Sequence, residues 1–492
     1  MKADTVFDLV VVGGGVNGAG VARDAAGRGA KVLLLEQGDL ASGTSSKSTK
    51  LVHGGLRYLE YYEFALVREA LGEREILWDI APHIVWPLRF VLPVTKQMRP
   101  RWMLRAGLAL YDMIGGRGAF PRARSIALAS HAAGAPLESA CRRAFEYSDG
   151  WVDDARLVVL NALDAAERGA TIMPRMPVTR ARREGELWAV ETPKGKFLAR
   201  ALVNAAGPAA DDVAGLTGEA PTYTLRRVRG SHIVVPKLFD HPYAYLLQQP
   251  DTRICFAIPY EQDFTLIGTT DADHSGDPFA AEASEAEIRY LCDAANRYFV
   301  RDIVPGDVLH TYSGVRALVD DGSGRPEAAT RGYKVVLSDA DEGAPLLGIY
   351  GGKITSYRHI AEDAVDRLAP RLDALSGLAW TARSPLPGGD FGRGSQHHLV
   401  ALLTGDYPFL SGRDALRIAR AYGTRAVDWL GDARDWSDLG RNFGAGLSEA
   451  ELVYMRDTEW AAGAEDALWR RSKLGLRLNA DQYTAVAAYF GG

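Results

Sequence analysis

Cysteine is scarce in this chain. Its three residues among 492, Cys141, Cys255 and Cys292, are far apart and form no C-x-x-C pair. That excludes a disulfide framework and a thiolate zinc cluster, and the expectation is buried thiols in a reducing compartment. An excess of one charge is also missing: 57 Lys plus Arg stand against 62 Asp plus Glu, a net charge of −5 that gives no reason to expect nucleic acid. No apolar run reaches the roughly 18 to 20 residues needed to span a bilayer. The N-terminal apolar run has neither the basic region nor the cleavage site of a secretory signal, so the protein is expected in the cytoplasm or attached to the inner face of the cell membrane. There is no H-E-x-x-H and no G-x-S-x-G elbow, which argues against metal hydrolysis and a serine nucleophile, and no metal is expected. The pair His397-His398 falls in an expected linker and reads as solvent-exposed rather than ligating. Internal repeats and low-complexity tracts are absent too. What remains, 47% hydrophobic and 24% charged, is an ordinary globular composition with chain enough for two or three domains.

The most informative stretch present is Val10-Val11-Val12-Gly13-Gly14-Gly15-Val16-Asn17-Gly18. The run Phe7 to Val12 is continuous and rich in β-branched residues, as a strand buried on both faces would be, and the glycines come where it must turn into a helix. In the G-x-G-x-x-G reading Gly13 makes the turn, Gly15 lets the backbone approach a pyrophosphate, and Gly18 lets the helix lie close on the strand. The helix, expected over 18–29, points its positive N-terminus at the phosphates. Glu36 closes the next apolar run, Val32-Leu33-Leu34-Leu35, where an acid would accept hydrogen bonds from an adenosine ribose.

The pattern along the chain is that of an α/β protein with a discontinuous, Rossmann-like nucleotide domain over 1–75, 151–220 and 335–385. A helix is expected over 61–80, with Phe64, Val67, Leu71 and Trp78 at core spacing and Pro82 just past its end. Asp153 or Asp154 would cap a helix over 155–168, and the later strand at Ala201 to Asn204 runs into Ala205-Ala206-Gly207-Pro208. Short strands dominate 224–336, including 231–235, 244–247, 254–258 and 264–268, with one helical stretch around 285–298. Together with 76–150, residues 221–334 read as a substrate domain built on an antiparallel sheet. A last strand, Leu346 to Tyr350, enters the glycine turn Gly351-Gly352-Lys353. Residues 390–492 read as an α-helical C-terminal domain with Trp429, Trp436, Trp460 and Trp469 available for its core.

Three arginines stand out by their settings near glycine- or serine-bearing turns: Arg57 in HGGLRY, Arg316 in SGVR, and Arg331. Permanently charged, planar donors of this kind suit a phosphate. Two histidines have the basicity to take a proton near pH 7: His53 is the first candidate for a base, and His232, in GSHIVV on an expected strand, is its competitor.

Taken in order, GGGVNGAGVARDAAGRG, TSSKSTKLVHGGLRYLE, YSDGWVDDARL, VNAAGP, RGSHIVVP, LIGTTD, TYSGVRALVDD and YGGKITSYR resemble the FAD-dependent glycerol-3-phosphate dehydrogenase family, over about residues 6 to 475. The resemblance implies a flavoprotein that oxidises sn-glycerol 3-phosphate to dihydroxyacetone phosphate and passes electrons to ubiquinone or menaquinone in the membrane. It implies that Gly13, Gly15, Asn17, Gly18 and Glu36 hold the adenine dinucleotide of FAD. Ser45, Ser46, Lys50, Leu51, Gly54 and Gly55 would line the isoalloxazine and ribityl region, approached from later strands by Ala206, Gly207 and the segment Gly351, Gly352, Lys353, Ile354 and Thr355. Arg57, Tyr58, Thr270, Arg316 and Arg331, with His232, would gather around the substrate. His53, Arg316 and Lys353 would carry the chemistry, the two cations stabilising alkoxide character or the charge of the reduced ring. A helix beginning near Gly352 would add its positive dipole there.

Residues 99–124 combine apolar residues at helical spacing with Trp102, Tyr111, Arg99, Arg101, Arg105, Arg117, Arg122 and Arg124, the composition of a helix lying among lipid headgroups, though a helix packed on its own domain would look alike. Three other readings share parts of this pattern: an oxidase using oxygen and making hydrogen peroxide, an amine or amino-acid oxidase, and a flavin-binding redox module without turnover. A homodimer is compatible with the sequence.

Overall fold

The computed structural model describes residues 5–95, 99–116, 118–219, 222–320, 332–338 and 343–491, with Arg57 described by its backbone alone. Its first sheet is built on strand Val6–Val12, which pairs in parallel with Val32–Leu35 on one side and Gly195–Asn204 on the other. Thr171–Met173 extends the parallel order at one end and Leu346–Gly351 at the other, and Tyr333–Leu337 closes the latter edge antiparallel. The expected unbroken apolar run has its reason here. Leu9 and Val11 point into one core with helices Val16–Gly27, Asp154–Glu167 and Tyr357–Leu368, while Phe7, Val10 and Val12 point into a second with Trp188 and Val190 of the antiparallel pair Arg180–Glu184 and Leu187–Thr192. Both faces are therefore dry, and each buried Val or Leu contributes about 1.5–3 kcal/mol. The helices approach closely because seven of the twelve residues of the first are Ala or Gly: a Cβ on Gly20 would lie 2.9 Å from the ring of Tyr357.

The second sheet has ten strands among the described residues. The long antiparallel pair Leu225–Pro236 with His310–Val319 is followed by Phe264–Gly268, Ile254–Tyr260 and Ala244–Gln248, each antiparallel to its neighbour. One parallel junction, Ala244–Gln248 against Val85–Pro93, joins these to Arg143–Val152 and the short Leu51–Val52. Thus His53 follows a strand of the second sheet and Arg316 lies on one, whereas Lys353 follows the first-sheet strand Leu346–Gly351. Helix Glu285–Asn296 covers one face, capped by Ser284 and Glu287 in a reciprocal box. The other face packs against Val67 and Leu71 of helix Phe64–Ile80 and Leu108 and Tyr111 of helix Arg101–Ile114.

Four helices, Gln396–Asp406, Gly412–Tyr422, Glu449–Asp457 and Ala480–Tyr489, gather around a separate apolar core after residue 396. Buried ion pairs tie this part to the rest, among them Arg156 to Glu459 at 2.6 Å.

Several elements differ from the sequence reading. Helix Phe64–Ile80 starts later, because Leu56–Tyr61 forms a 3-10 turn, and Phe64 is exposed rather than core. Asp153 alone caps helix Asp154–Glu167, its carboxylate accepting from the Arg156 N–H; Asp154 turns inward to Lys50. His397 and His398 lie on a helix, not a linker, and are exposed. Trp460 packs against the core of the first sheet, whereas Trp429, Trp436 and Trp469 join the C-terminal one. The turn after Gly352 gives a 3-10 segment, Ile354–Ser356, before its α-helix begins at Tyr357, about a turn later than expected.

Candidate functional site

The carboxyl ends of the parallel strands and the facing edge of the second sheet enclose a cavity of about 780 Å³. Ligands of open α/β sheets bind in this position. At one end lies the glycine turn. Gly13 has φ +114°, and a Cβ there would sit 2.6 Å from the Ala205 carbonyl oxygen; one on Gly18 would sit 1.9 Å from that of Gly13. No side chain can stand at either position: Gly13 brings bare backbone to the cavity, and Gly18 lets the helix lie against the turn. Helix Val16–Gly27 begins behind this turn with no side-chain cap on Gly15, and its N-terminus faces the cavity through Gly14, Gly15, Val16 and Asn17. The Val16 N–H is held by Ser45 Oγ at 3.0 Å. Asn17 donates to the Gly351 carbonyl at 3.4 Å, while its own Oδ1 is buried with no protein partner, an acceptor left for a ligand.

Glu36 stands where the sequence reading put it. Its two carboxylate oxygens accept the Gly14 N–H at 2.6 Å and the Gly38 N–H at 2.7 Å, and burial pushes its carboxyl up from the usual range. Gly207 (φ +58°), Ala206, Gly351 (φ +77°), Gly352 and Ile354 supply further wall from the later strands.

The other end of the cavity carries the reactive groups. His53, Leu51, Tyr58, His232, Arg316, Lys353 and Thr355 line it together, although they span 305 residues between Leu51 and Thr355, their first and last members. Thr355 Oγ1 accepts the His53 backbone N–H at 3.1 Å, pinning the base candidate to the late glycine turn. The Lys353 ammonium sits 3.6 Å from the centre of the Tyr58 ring. That ring folds back over Gly55, whose φ of +78° and missing Cβ make room for it. His232 stacks on Tyr312 at 4.7 Å and meets the Thr49 hydroxyl through Nε2 at 2.9 Å. Burial, with Arg316 and Lys50 nearby, holds its imidazole well below the ordinary value, so it stays neutral. Arg316 is oriented by Asp271, which it contacts closely, and by Thr269 Oγ1 at 3.1 Å.

Not every candidate faces the cavity. Lys50 is buried, its amine bonded to Asp154 at 2.8 Å and to the Ser46 carbonyl at 3.1 Å, so it holds the loop from behind. Ser46 contributes that carbonyl. Thr270 is buried and donates to Glu287 at 2.8 Å while accepting the Ser231 N–H; Thr269 reaches the cavity instead. Gly18, Gly54 and Gly55 act through backbone packing. The side chain of Arg57 and all of Arg331 lie outside the described residues.

Sequence reasoning missed Thr49, Thr269, Asp271 and Lys47. Lys47 lines the cavity beside the Phe279 carbonyl, and burial lowers its ammonium pKa. Thr49 sat within the quoted TSSKSTKL and Thr269-Asp271 within LIGTTD, but only the turn geometry says which neighbour points inward.

Residues 8–358 match the family described as FAD dependent oxidoreductase. A D-erythritol 1-phosphate dehydrogenase of Brucella abortus is 49% identical over 100% of this chain and 99% of its own length. A glycerol-3-phosphate dehydrogenase of Pseudomonas aeruginosa is 49% identical over 98% and 95%. The crystal structure of the Bacillus halodurans glycerol-3-phosphate dehydrogenase complexed with FAD covers 99% of this chain and 94% of that one with a TM-score of 0.77, at 24% identity, a likeness of fold.

Proposed function

Because the chain belongs to the FAD-dependent oxidoreductase family, we propose that it oxidises sn-glycerol 3-phosphate to dihydroxyacetone phosphate and delivers the electrons to a membrane quinone. The observation that carries this reading is the meeting of Arg316, Lys353 and His53 in the same cavity as the glycine cradle.

The residues present fit FAD: side-chain-free backbone at Gly13, a helix N-terminus that opens on the cavity, and the orphaned Asn17 Oδ1. When bound, FAD supplies an acceptor for the hydride leaving the substrate's middle carbon. Arg316, locked by Asp271 and Thr269, presents a fixed guanidinium to the nearly doubly charged phosphate. His53 takes the proton of the middle hydroxyl. It suits the task better than His232, because a group so buried beside Arg316 and Lys50 resists becoming charged. Lys353 balances the negative charge that develops at the oxygen. We read the two sheets and the C-terminal helices as cofactor, substrate and accessory modules.

A second substrate has a specific claim, since the Brucella relative acts on D-erythritol 1-phosphate by its name. Both molecules place a secondary hydroxyl beside a phosphorylated carbon, which is all that His53 and Arg316 address. The ratio of kcat/KM for the two decides, and a value favouring the four-carbon ester by tenfold or more, about 1.4 kcal/mol, would move the assignment.

No helix among the described residues is long and apolar enough to cross a membrane. Helix Arg101–Ile114 buries Leu108 and Tyr111 yet exposes Trp102, Ala106, Ala109 and Met113 along one line, with Trp102 73% and Met113 71% accessible. Tyr62 and Phe64 are exposed as well. An uncovered apolar stripe flanked by Arg101 and Arg105 suits lipid headgroups, and through them access to quinone. Reduced enzyme that reoxidises rapidly with a soluble quinone and slowly with oxygen supports the dehydrogenase; stoichiometric hydrogen peroxide in air supports an oxidase. Undiminished liposome binding by the Arg101→Glu/Arg105→Glu/Arg117→Glu variant overturns the membrane contact.

A further inference from the structure

The loop between Glu36 and Ser45 forms one wall of the cofactor end of the cavity through Gln37, Ser42, Gly43 and Thr44. Its front is tied by the Ala41 N–H to the Gly14 carbonyl at 3.0 Å, the Ser42 N–H to the Asp39 carbonyl at 3.1 Å, the Arg175 N–H to the Gly38 carbonyl at 2.7 Å and the Thr44 hydroxyl to the Val315 carbonyl at 2.6 Å. Its rear is held by residues more than 400 positions away. Asp39, 5% exposed, accepts a two-pronged contact from Arg471, Nη1 to Oδ2 at 2.7 Å and Nη2 to Oδ1 at 2.9 Å, and a third from Arg470 Nε at 2.6 Å. Arg471 is fully buried and its remaining N–H groups donate to the Glu459 carbonyl. Arg470 also contacts Asp466, which Arg175 contacts from the other side.

Both arginines sit at the end of a π-helical turn, Asp466–Arg471. Such widened turns are frequent at functional sites, and this one ends with two consecutive side chains on one carboxylate. The two guanidinium groups hold the Asp39 carboxyl below the usual range despite its burial. A carboxylate so placed is ionised and geometrically fixed, and it lies three residues from Glu36, the expected ribose acceptor.

Resting on the reading of the cavity as an FAD site, we infer that Arg470 and Arg471 are positioning residues which make the C-terminal helical part a clamp on the cofactor loop, setting how tightly FAD is retained. The clamp touches neither the substrate nor the reacting atoms. Its loss therefore weakens cofactor binding and leaves turnover by the saturated enzyme intact.

The test is titration of the apoprotein with FAD, read by flavin fluorescence, in Arg471→Gln, Asp39→Asn and their double variant. Each single variant raises the dissociation constant tenfold or more, the double variant is no worse than the weaker single one, and at saturating FAD kcat and KM stay within about twofold. Arg470→Gln, which leaves the Arg471 fork in place, gives a smaller loss and serves if Arg471→Gln fails to fold. Arg477→Gln is the control: it breaks a different contact between the C-terminal part and the second sheet, to Asp263 at 2.9 Å, and leaves FAD binding unchanged. Equal weakening in Arg477→Gln, or unchanged binding in a folded Arg470 or Arg471 variant, overturns the clamp. A wild-type chain that takes up no FAD overturns the site reading and the clamp together; tight binding by wild type and variants alike overturns the clamp alone.

Discussion

The hydroxyl of Tyr111 accepts the backbone N–H of Gly54 at 2.9 Å, and thereby joins the helix with the exposed apolar stripe to the residue next to His53. The same hydroxyl donates to Asp149 at 2.6 Å, and Asp149 is held in turn by Arg74 at 3.0 Å. Nothing here is wet enough to replace a lost partner. Tyr111→Phe leaves the Gly54 N–H unpaired and removes one donor from Asp149, which keeps Arg74, at a cost of about 1–3 kcal/mol. We expect the limiting rate of flavin reduction to fall about tenfold with substrate affinity nearly unchanged, measured by anaerobic stopped flow; an unaltered rate would show that the turn holds itself.

His53 and Arg316 are assigned different tasks, and their variants should separate them. His53→Ala slows flavin reduction by a factor on the order of a hundred or more while KM changes little. Arg316→Lys keeps the charge but loses the planar fork aligned by Thr269 and Asp271, and mainly raises KM, by about tenfold. The reverse pattern would exchange the roles.

Gly18 has no room for even a methyl group, since a Cβ would lie 1.9 Å from the Gly13 carbonyl oxygen. Gly18→Ala must push the helix off the turn that presents its N-terminus. The variant should purify without flavin absorption. Normal flavin content would mean that the cradle yields, contrary to the close packing described.

His83 provides a pH prediction. It is fully buried, and desolvation with Arg156 nearby lowers its imidazole pKa to about 3, from about 6.5 in the unfolded chain. A depressed histidine favours the folded state above pH 6.5, and this contribution is lost as the pH falls from there towards 3, where the unfolded chain binds the proton first. Between pH 7.5 and 5.5 it amounts to about 1.4 kcal/mol. His83→Gln should therefore show a smaller drop in Tm over that interval than the wild type, and an identical drop would remove His83 from the account.

The cofactor end was legible because its signals are local. The turn needs glycine at Gly13 and Gly18 for reasons of a few ångströms, and Glu36 follows the next strand by simple register. The substrate end was legible in kind but not in detail. LIGTTD pointed to Thr270, whereas the turn buries that residue on Glu287 and offers Thr269 to the cavity. The resemblance implied Lys50 as a cofactor contact, yet a carboxylate 104 residues away claims its amine. Arg316 could be singled out by its setting, but its counterion Asp271 is set by the pairing of two distant strands. Trp460 and Phe64 went astray for a related reason: periodicity marks an apolar face and does not say which neighbour covers it, or whether any does.

The proposed oxidation requires a cationic niche, built for a phosphate, that faces the flavin. It is tested most directly by mixing the purified flavoprotein, without oxygen, with sn-glycerol 3-phosphate or with unphosphorylated glycerol and following the flavin absorption. The phosphoester should bleach the flavin rapidly and glycerol at the same concentration should not; equal bleaching by both would leave the niche without a role.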